Sequence, residues 1–221
     1  MTTDTGRSAR RPQAERNDRA LLRAAREVIA EDGAHASVAA IAGRAGVGIG
    51  SLYRRYRTKE QLFQHLALLS LEHWNDAAER ALADDDPWRG LAGFVVACVE
   101  FGQGTLAPVA GTIAVTDEMA RASARGDELL ATLVARGRTA GALRPDVTAV
   151  DVSVLIEQLG RSPLVDQVRR EGRRDLLPTA EAARARVVAI AVDGLRAGPQ
   201  APLPGDPPSL TLFTERWAQR H

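Results

Sequence analysis

Tyr53, Arg54, Arg55 and Arg57 crowd one short stretch, and Lys59, the only lysine in the chain, follows two residues later. Such side chains donate hydrogen bonds to phosphate oxygens, and the guanidinium fork suits a planar anion. Just before them stand Gly48, Gly50 and Ser51, which leave the backbone free of bulk and open to close approach by a phosphate chain. The chemistry on offer is the holding of a polyanion. Catalysis is not expected: there is no Gly-rich phosphate loop, nucleophile elbow or paired Cys and His. His65 and His73 are too far apart for a one-turn metal pair, so neither a metal nor a cofactor is expected.

These residues must be held by short helices. Leu22, Ala25 and Ile29 recur at helical spacing from Asn17, and Gly33 is a natural stop. Ser37 is a good N-cap for a helix to Ala45; Gly46 then allows a turn, and a further helix runs from Gly48 to Tyr56. Two short helices joined by a Gly turn and packed on a preceding helix describe a helix-turn-helix. Its core would be Ile41, Ala45, Val47 and Leu52, leaving the second short helix to read DNA. Thr58 and Gln61 have capping-box spacing and open a long helix to about Ala83.

The run from Ser37 to Phe63 resembles the DNA-binding signature of the TetR family. It contains Ile41-Ala42, Ala45-Gly46-Val47, Leu52-Tyr53, Tyr56 and Lys59-Glu60-Gln61-Leu62 at the family spacing. The resemblance covers the helix near Asn17 to roughly Leu68. It implies an all-α protein with an N-terminal three-helix helix-turn-helix domain and a C-terminal helical ligand-binding and dimerisation domain. Its partners would be double-stranded operator DNA, a second copy of the chain and an unidentified small-molecule effector. The implied DNA-binding residues are Ser37, Arg44, Gly48, Ile49, Gly50, Ser51, Tyr53, Arg54, Arg55 and Lys59. Lys59 lies in the first turn of a helix, where the macrodipole disfavours a cation, and a phosphate contact would offset that penalty. The family usually has Ser where this chain has Gly48, a weaker cap. Ile49 can make only apolar contacts, for instance to a thymine methyl. Base readout then leans on Arg44, Ser51 and Arg54.

Beyond the long helix, helices are expected near 87–104, 107–116, 117–140, 148–161 and 179–197. Gly141, Pro145, Pro163 and Pro178 punctuate them. Val152, Leu155, Ile156 and Leu159 form one apolar stripe, and Ala183, Val187, Ile190 and Ala191 a second. The resemblance assigns both to a homodimer interface; packing into the chain's own core is the alternative. The helices between would enclose an effector pocket lined by His73, Trp74, Trp88, Phe94, Cys98, Phe101, Ile113 and Met119.

The domains expected are a flexible basic arm at 1–15, a DNA-binding domain at 16–63 with its motif about 37–56, an effector-binding and dimerisation domain at 64–197, and a Pro- and Gly-rich linker with a C-terminal tail at 198–221. The formal net charge of +1 says little, but residues 1–62 carry 12 Arg or Lys against 7 Asp or Glu. That asymmetry suits a polyanion at the N-terminal end. Cys98 stands alone, so no internal disulfide is expected. With no membrane-length apolar run and no apolar signal segment, the chain reads as soluble and cytoplasmic, without a membrane partner. The leading function is a repressor released by an effector. A TetR-like activator, or a helical small-molecule-binding protein without operator binding, are the alternatives.

Overall fold

The computed structural model describes residues 5–217 except positions 103, 105 and 200, with side chains from Asn17 onward except that of Thr214. Those residues form ten α-helices: α1 Thr5–Asp32, α2 Val38–Ala45, α3 Ile49–Arg55, α4 Lys59–Leu82, α5 Pro87–Phe101, α6 Asp117–Thr139, α7 Ala149–Gly160, α8 Pro163–Arg170, α9 Leu177–Asp193 and α10 Thr211–Trp217. Among the described residues the only β-type pairing is an isolated bridge between Leu143 and Arg196. None of the described helices is long and apolar enough to cross a membrane.

The chain divides into two compact units. The first takes the residues up to Leu68 and returns for Leu106–Thr116. Its core is built from Leu21, Leu22, Ala25, Val28 and Ile29 of α1, Ile41 of α2, Leu52 of α3, and Leu62, Phe63 and Leu66 of α4, all buried. This unit runs past residue 63, where the sequence places a boundary, because Leu66 and Ala67 are buried in it.

Two expectations are corrected here. First, α1 begins at Thr5, whereas 1–15 reads as a flexible arm. The polarity that suggests an arm does not oppose a helix: Ala, Arg, Gln and Glu are good helix formers, and Gly6 and Pro12 are the residues that work most against it. Residues 1–4, and the side chains of Arg10 and Arg11, lie outside the description. Second, 107–116 is not an α-helix but a 3₁₀ turn at Ala107–Val109 followed by a bend. Gly111 adopts a left-handed φ of 75°, which ends helical propagation. This segment is pinned to α4: Gln64 Nε2 donates to the Ala114 carbonyl at 2.9 Å, and the Ala114 amide donates to Glu60 Oε1 at 2.9 Å.

The second unit is Leu69–Thr105 with Asp117–Arg216. Its main core joins Ala77, Ala78 and Ala81 of α4, Leu91, Phe94, Val95, Cys98 and Val99 of α5, Leu130, Leu133 and Val134 of α6, Val152 and Ile156 of α7, and Val188 and Val192 of α9. Small residues set close crossings. A Cβ added at Gly90 would lie 2.4 Å from the Ala81 carbonyl oxygen, so only glycine lets α5 approach the end of α4. Asp86 caps α5, accepting from the amides of Trp88 and Arg89, with Pro87 at its first position. Thr148 and Asp151 form a reciprocal capping box on α7, as their spacing predicts. Arg184 of α9 donates to the carbonyls of Val99 (2.9 Å) and Leu159 (3.4 Å), near the ends of α5 and α7, where helix carbonyls run out of partners. Helix α8 was not expected. Pro163 reads as punctuation, yet it occupies the first turn of α8, where a missing N–H costs nothing. Val165 and Val168 pack on Ala180 of α9 in a small separate core.

The C-terminal segment returns to this unit at both ends of α7. Before α7, Arg144 grips Asp146 with two hydrogen bonds of 2.9 Å and donates to the Ala201 carbonyl at 2.7 Å, while the Leu203 amide donates to Asp146. Within α7, Glu157 accepts two hydrogen bonds from Arg216 of α10, at 3.0 and 2.6 Å. The Arg144 guanidinium and the Leu203 amide hold the Asp146 carboxyl well below the usual carboxylate range. A depressed folded pKa adds stability above the unfolded value of about 3.9 and loses it as pH falls through the folded one. Asp146→Asn is therefore expected to lower the melting temperature at neutral pH and to speed hydrogen exchange at the Leu203 amide. The gap from wild type should shrink steadily below about pH 4. A gap independent of pH would contradict this origin.

Candidate DNA-binding surface

The helix-turn-helix is assembled by local rules. Ser37 Oγ accepts from the Ala40 amide at 3.1 Å and caps α2. Gly46 ends α2 with a left-handed φ of 67°, which a side chain would strain. The Val47 amide then closes on the Ala42 carbonyl at 3.0 Å, and Gly48 becomes the extended N-cap of α3 without a side-chain cap bond. Thr58 Oγ1 accepts from the Gln61 amide and Gln61 Oε1 accepts from the Arg57 amide, fixing the start of α4.

The structure divides the expected DNA-binding residues into two groups. Ile49, Gly50, Ser51, Tyr53 and Arg54 stand exposed on α3, with Leu52 beneath them. Ile49 and Tyr53, one turn apart, are 44% and 50% exposed. A Cβ at Gly48 or at Gly50 would meet nothing within 4 Å, so nothing crowds the start of the helix.

The second group, with Ser37, Arg44 and Arg55 exposed and Lys59 half-buried, is hydrogen-bonded within the unit. Arg44 donates to both oxygens of Glu31, at 2.9 and 3.1 Å, and lies 3.7 Å from Glu27. The Glu31 hydrogen bond, opposed by partial burial, raises its pKa further. Arg55 grips both oxygens of Asp18 of α1, at 2.6 and 3.1 Å, with His65 Nε2 at 3.4 Å from Nη2. Lys59 donates from Nζ to the Ala34 carbonyl at 2.8 Å and sits 5.2 Å from the centre of the Phe63 ring. Ser37 Oγ accepts at the cap and keeps its O–H for a further partner. Arg44, Arg55 and Lys59 thus fasten the helices to one another, and Lys59 has only its remaining protons for a further contact. Sequence reasoning missed Asp18 and Glu31, because a carboxylate 37 residues from its arginine leaves no local signal. Tyr56 is core: burial pushes its hydroxyl up to about 12.

The expected effector residues sort in the same way. The His73 ring stacks on Phe101 with centroids 3.4 Å apart, and Trp74 meets Phe94 edge-on at 4.9 Å. The Trp74 indole N–H donates to the Gly126 carbonyl at 3.4 Å. Trp88 carries the Arg196 guanidinium over its ring at 5.1 Å. Phe94, Cys98 and Met119 are buried, and burial pushes the Cys98 thiol up to about 12, leaving it unreactive. Ile113 is buried and falls in the first compact unit. Asn75 was missed. It is 8% exposed, and it donates from Nδ2 to the Ala122 carbonyl at 3.0 Å, while Oδ1 has no hydrogen-bond donor among the described residues.

Residues 21–66 match the family model described as bacterial regulatory proteins of the tetR family. Residues 86–197 match that of an SbtR-like transcriptional regulator C-terminal domain. The fold is similar to that of a TetR transcription regulatory protein from Mycobacterium vanbaalenii, 26% identical, covering 84% of this chain and 98% of the other, with a TM-score of 0.53. A TetR transcriptional regulator from Streptomyces coelicolor is 23% identical over 81% of this chain and 98% of its own, with a TM-score of 0.54. A TetR family regulator from Thermus thermophilus is 22% identical over 82% and 99%, with a TM-score of 0.51. These last two likenesses speak for the fold alone.

Proposed function

The chain belongs to the TetR family of transcriptional regulators, and on that premise we propose that it is a cytoplasmic repressor that binds a near-palindromic operator as a homodimer and leaves it when a small molecule binds. The observation that carries the reading is the outer face of α3. Ile49, Gly50, Ser51, Tyr53 and Arg54 stand free on a helix whose flanking cations, Arg44 and Arg55, are already neutralised by Glu31 and Asp18. A short helix with an open face of this kind fits a major groove. Arg54 is the residue for base edges, and the Tyr53 hydroxyl for a phosphate. On DNA carrying the operator, Arg54→Ala should cost about 1–3 kcal/mol and relax base preference, and Tyr53→Phe should weaken all sequences alike. Both should leave thermal stability within about 0.5 kcal/mol, as expected of surface positions. Unchanged affinity in both variants, measured by gel shift, would sink the reading.

Support for the dimer lies on α9. Val187 and Ile190, three residues apart, are 54% and 69% exposed, beside the half-buried Ala183 and Ala191. The α7 stripe contributes less than its sequence suggests. Val152 and Ile156 point into the chain's own core, leaving Leu155 and Leu159, half-buried, for a partner. The test belongs at the exposed pair, because Ile156 variants would report on folding. Ile190→Glu should turn a dimer into a folded monomer in sedimentation at micromolar concentration. If wild type is itself a monomer there, the dimer is wrong.

The effector reading rests on the aromatic set His73, Trp74, Phe94 and Phe101, and on α4, which supplies residues to both compact units. An apolar molecule that packs on Trp74 and binds the DNA-free state more tightly lowers operator affinity by the same factor. A coupling of about 1–3 kcal/mol corresponds to about 5–150-fold. Linkage requires operator DNA to weaken effector binding equally, which titration with and without operator would measure; equal affinity in both would reject induction.

A further inference from the structure

We propose that Ile49 reads a thymine methyl group in each operator half-site, so that part of this protein's sequence preference is apolar. The inference rests on the reading of α3 as the DNA-reading helix. Three observations lead to it. Ile49 occupies the first helical position of α3, and the N-terminal residues of a recognition helix are the ones that reach base edges. It is 44% exposed, so a branched apolar side chain stands in water on the open face of α3. It is flanked by Gly48 and Gly50, with nothing within 4 Å of where their side chains would be, so no neighbour holds the helix back from the groove floor.

The surrounding polar groups narrow the choice further. Arg44 and Arg55 sit in partly exposed pairs with Glu31 and Asp18, Lys59 donates to Ala34, and Ser37 Oγ accepts at the cap of α2. On the open face, Arg54 is the long hydrogen-bonding side chain, and Ile49 with Tyr53 forms a stripe of apolar surface beside it. Ile49 has no donor or acceptor, so it cannot distinguish guanine, adenine or unmodified cytosine by hydrogen bonding. In the major groove the apolar group that a base presents is the C5-methyl of thymine. The same methyl occurs on 5-methylcytosine, and binding to unmethylated DNA separates the two.

The test begins with duplexes selected by the full-length protein from an unmethylated random pool. In the best of them each thymine is replaced singly by uracil, which deletes the methyl and leaves every hydrogen-bonding group in place. The expected result is one thymine per half-site whose replacement weakens wild-type binding by about fourfold, the value of withdrawing one methyl-sized group from an apolar contact. In Ile49→Ala the same replacement should have no effect, while the remaining preference, including that owed to Arg54, persists. Indifference of the wild type to every uracil overturns the inference alone, and so does a uracil effect that survives in Ile49→Ala. Half-sites that bind only when their cytosines are methylated overturn the assignment to thymine. A protein that selects no sequence overturns the operator-binding reading itself, and this inference with it.

Discussion

A seven-residue helix cannot hold itself together in water. Isolated helices shorter than about 12–15 residues are marginal, because nucleation fixes several residues for one hydrogen bond. Helix α3 has seven residues and no side-chain cap. It exists because Leu52 and Tyr56 are buried, 2% and 8% exposed, with the Tyr56 ring against His65 of α4, and because Gly46 turns the chain after α2. Everything functional follows from that constraint. With residues 52 and 56 committed inward, positions 49, 50, 53 and 54 must face out, and they are free to differ without cost to the fold.

The cations of the head divide along the same line. Charge asymmetry in the sequence suggests a field of arginines aimed at a polyanion, yet two of the arginines nearest the reading helix are spent on carboxylates of α1. These pairs are partly exposed, and such pairs contribute only about 0–1 kcal/mol. Their effect is geometric: the two-point grips of Arg44 on Glu31 and Arg55 on Asp18 set the angle of α2 and α3 against α1, while the apolar core supplies the stability. In the second unit, cations also serve the backbone. Arg184 satisfies carbonyls near the ends of α5 and α7, and Arg144 ties the segment before α7 to the C-terminal stretch.

Much of this was legible in the chain because it is local. The cap at Ser37, the pair Thr58 and Gln61, the turn at Gly46 and the stripe through Leu22, Ala25 and Ile29 each act over three to seven residues, and each has a fixed spacing. What was hidden is non-local. Whether Val152 and Ile156 face a partner or their own core depends on where α5 and α9 lie, and an amphipathic stripe carries no such address. The fate of Arg44, Arg55 and Lys59 depends on residues 13 to 37 positions away. The 107–116 segment reads as a helix, whereas the left-handed Gly111 ends its 3₁₀ turn and the segment joins the first unit.

The central claim is that the open face of α3 is the surface that meets DNA. It is tested most directly by amide hydrogen exchange of the full-length protein, with and without a duplex selected by that protein. The account predicts slowing concentrated in residues 48–57, with the buried α1 core around Ala25 and Ile29 unchanged. DNA binding that slows exchange elsewhere and leaves α3 as fast as in the free protein would contradict it.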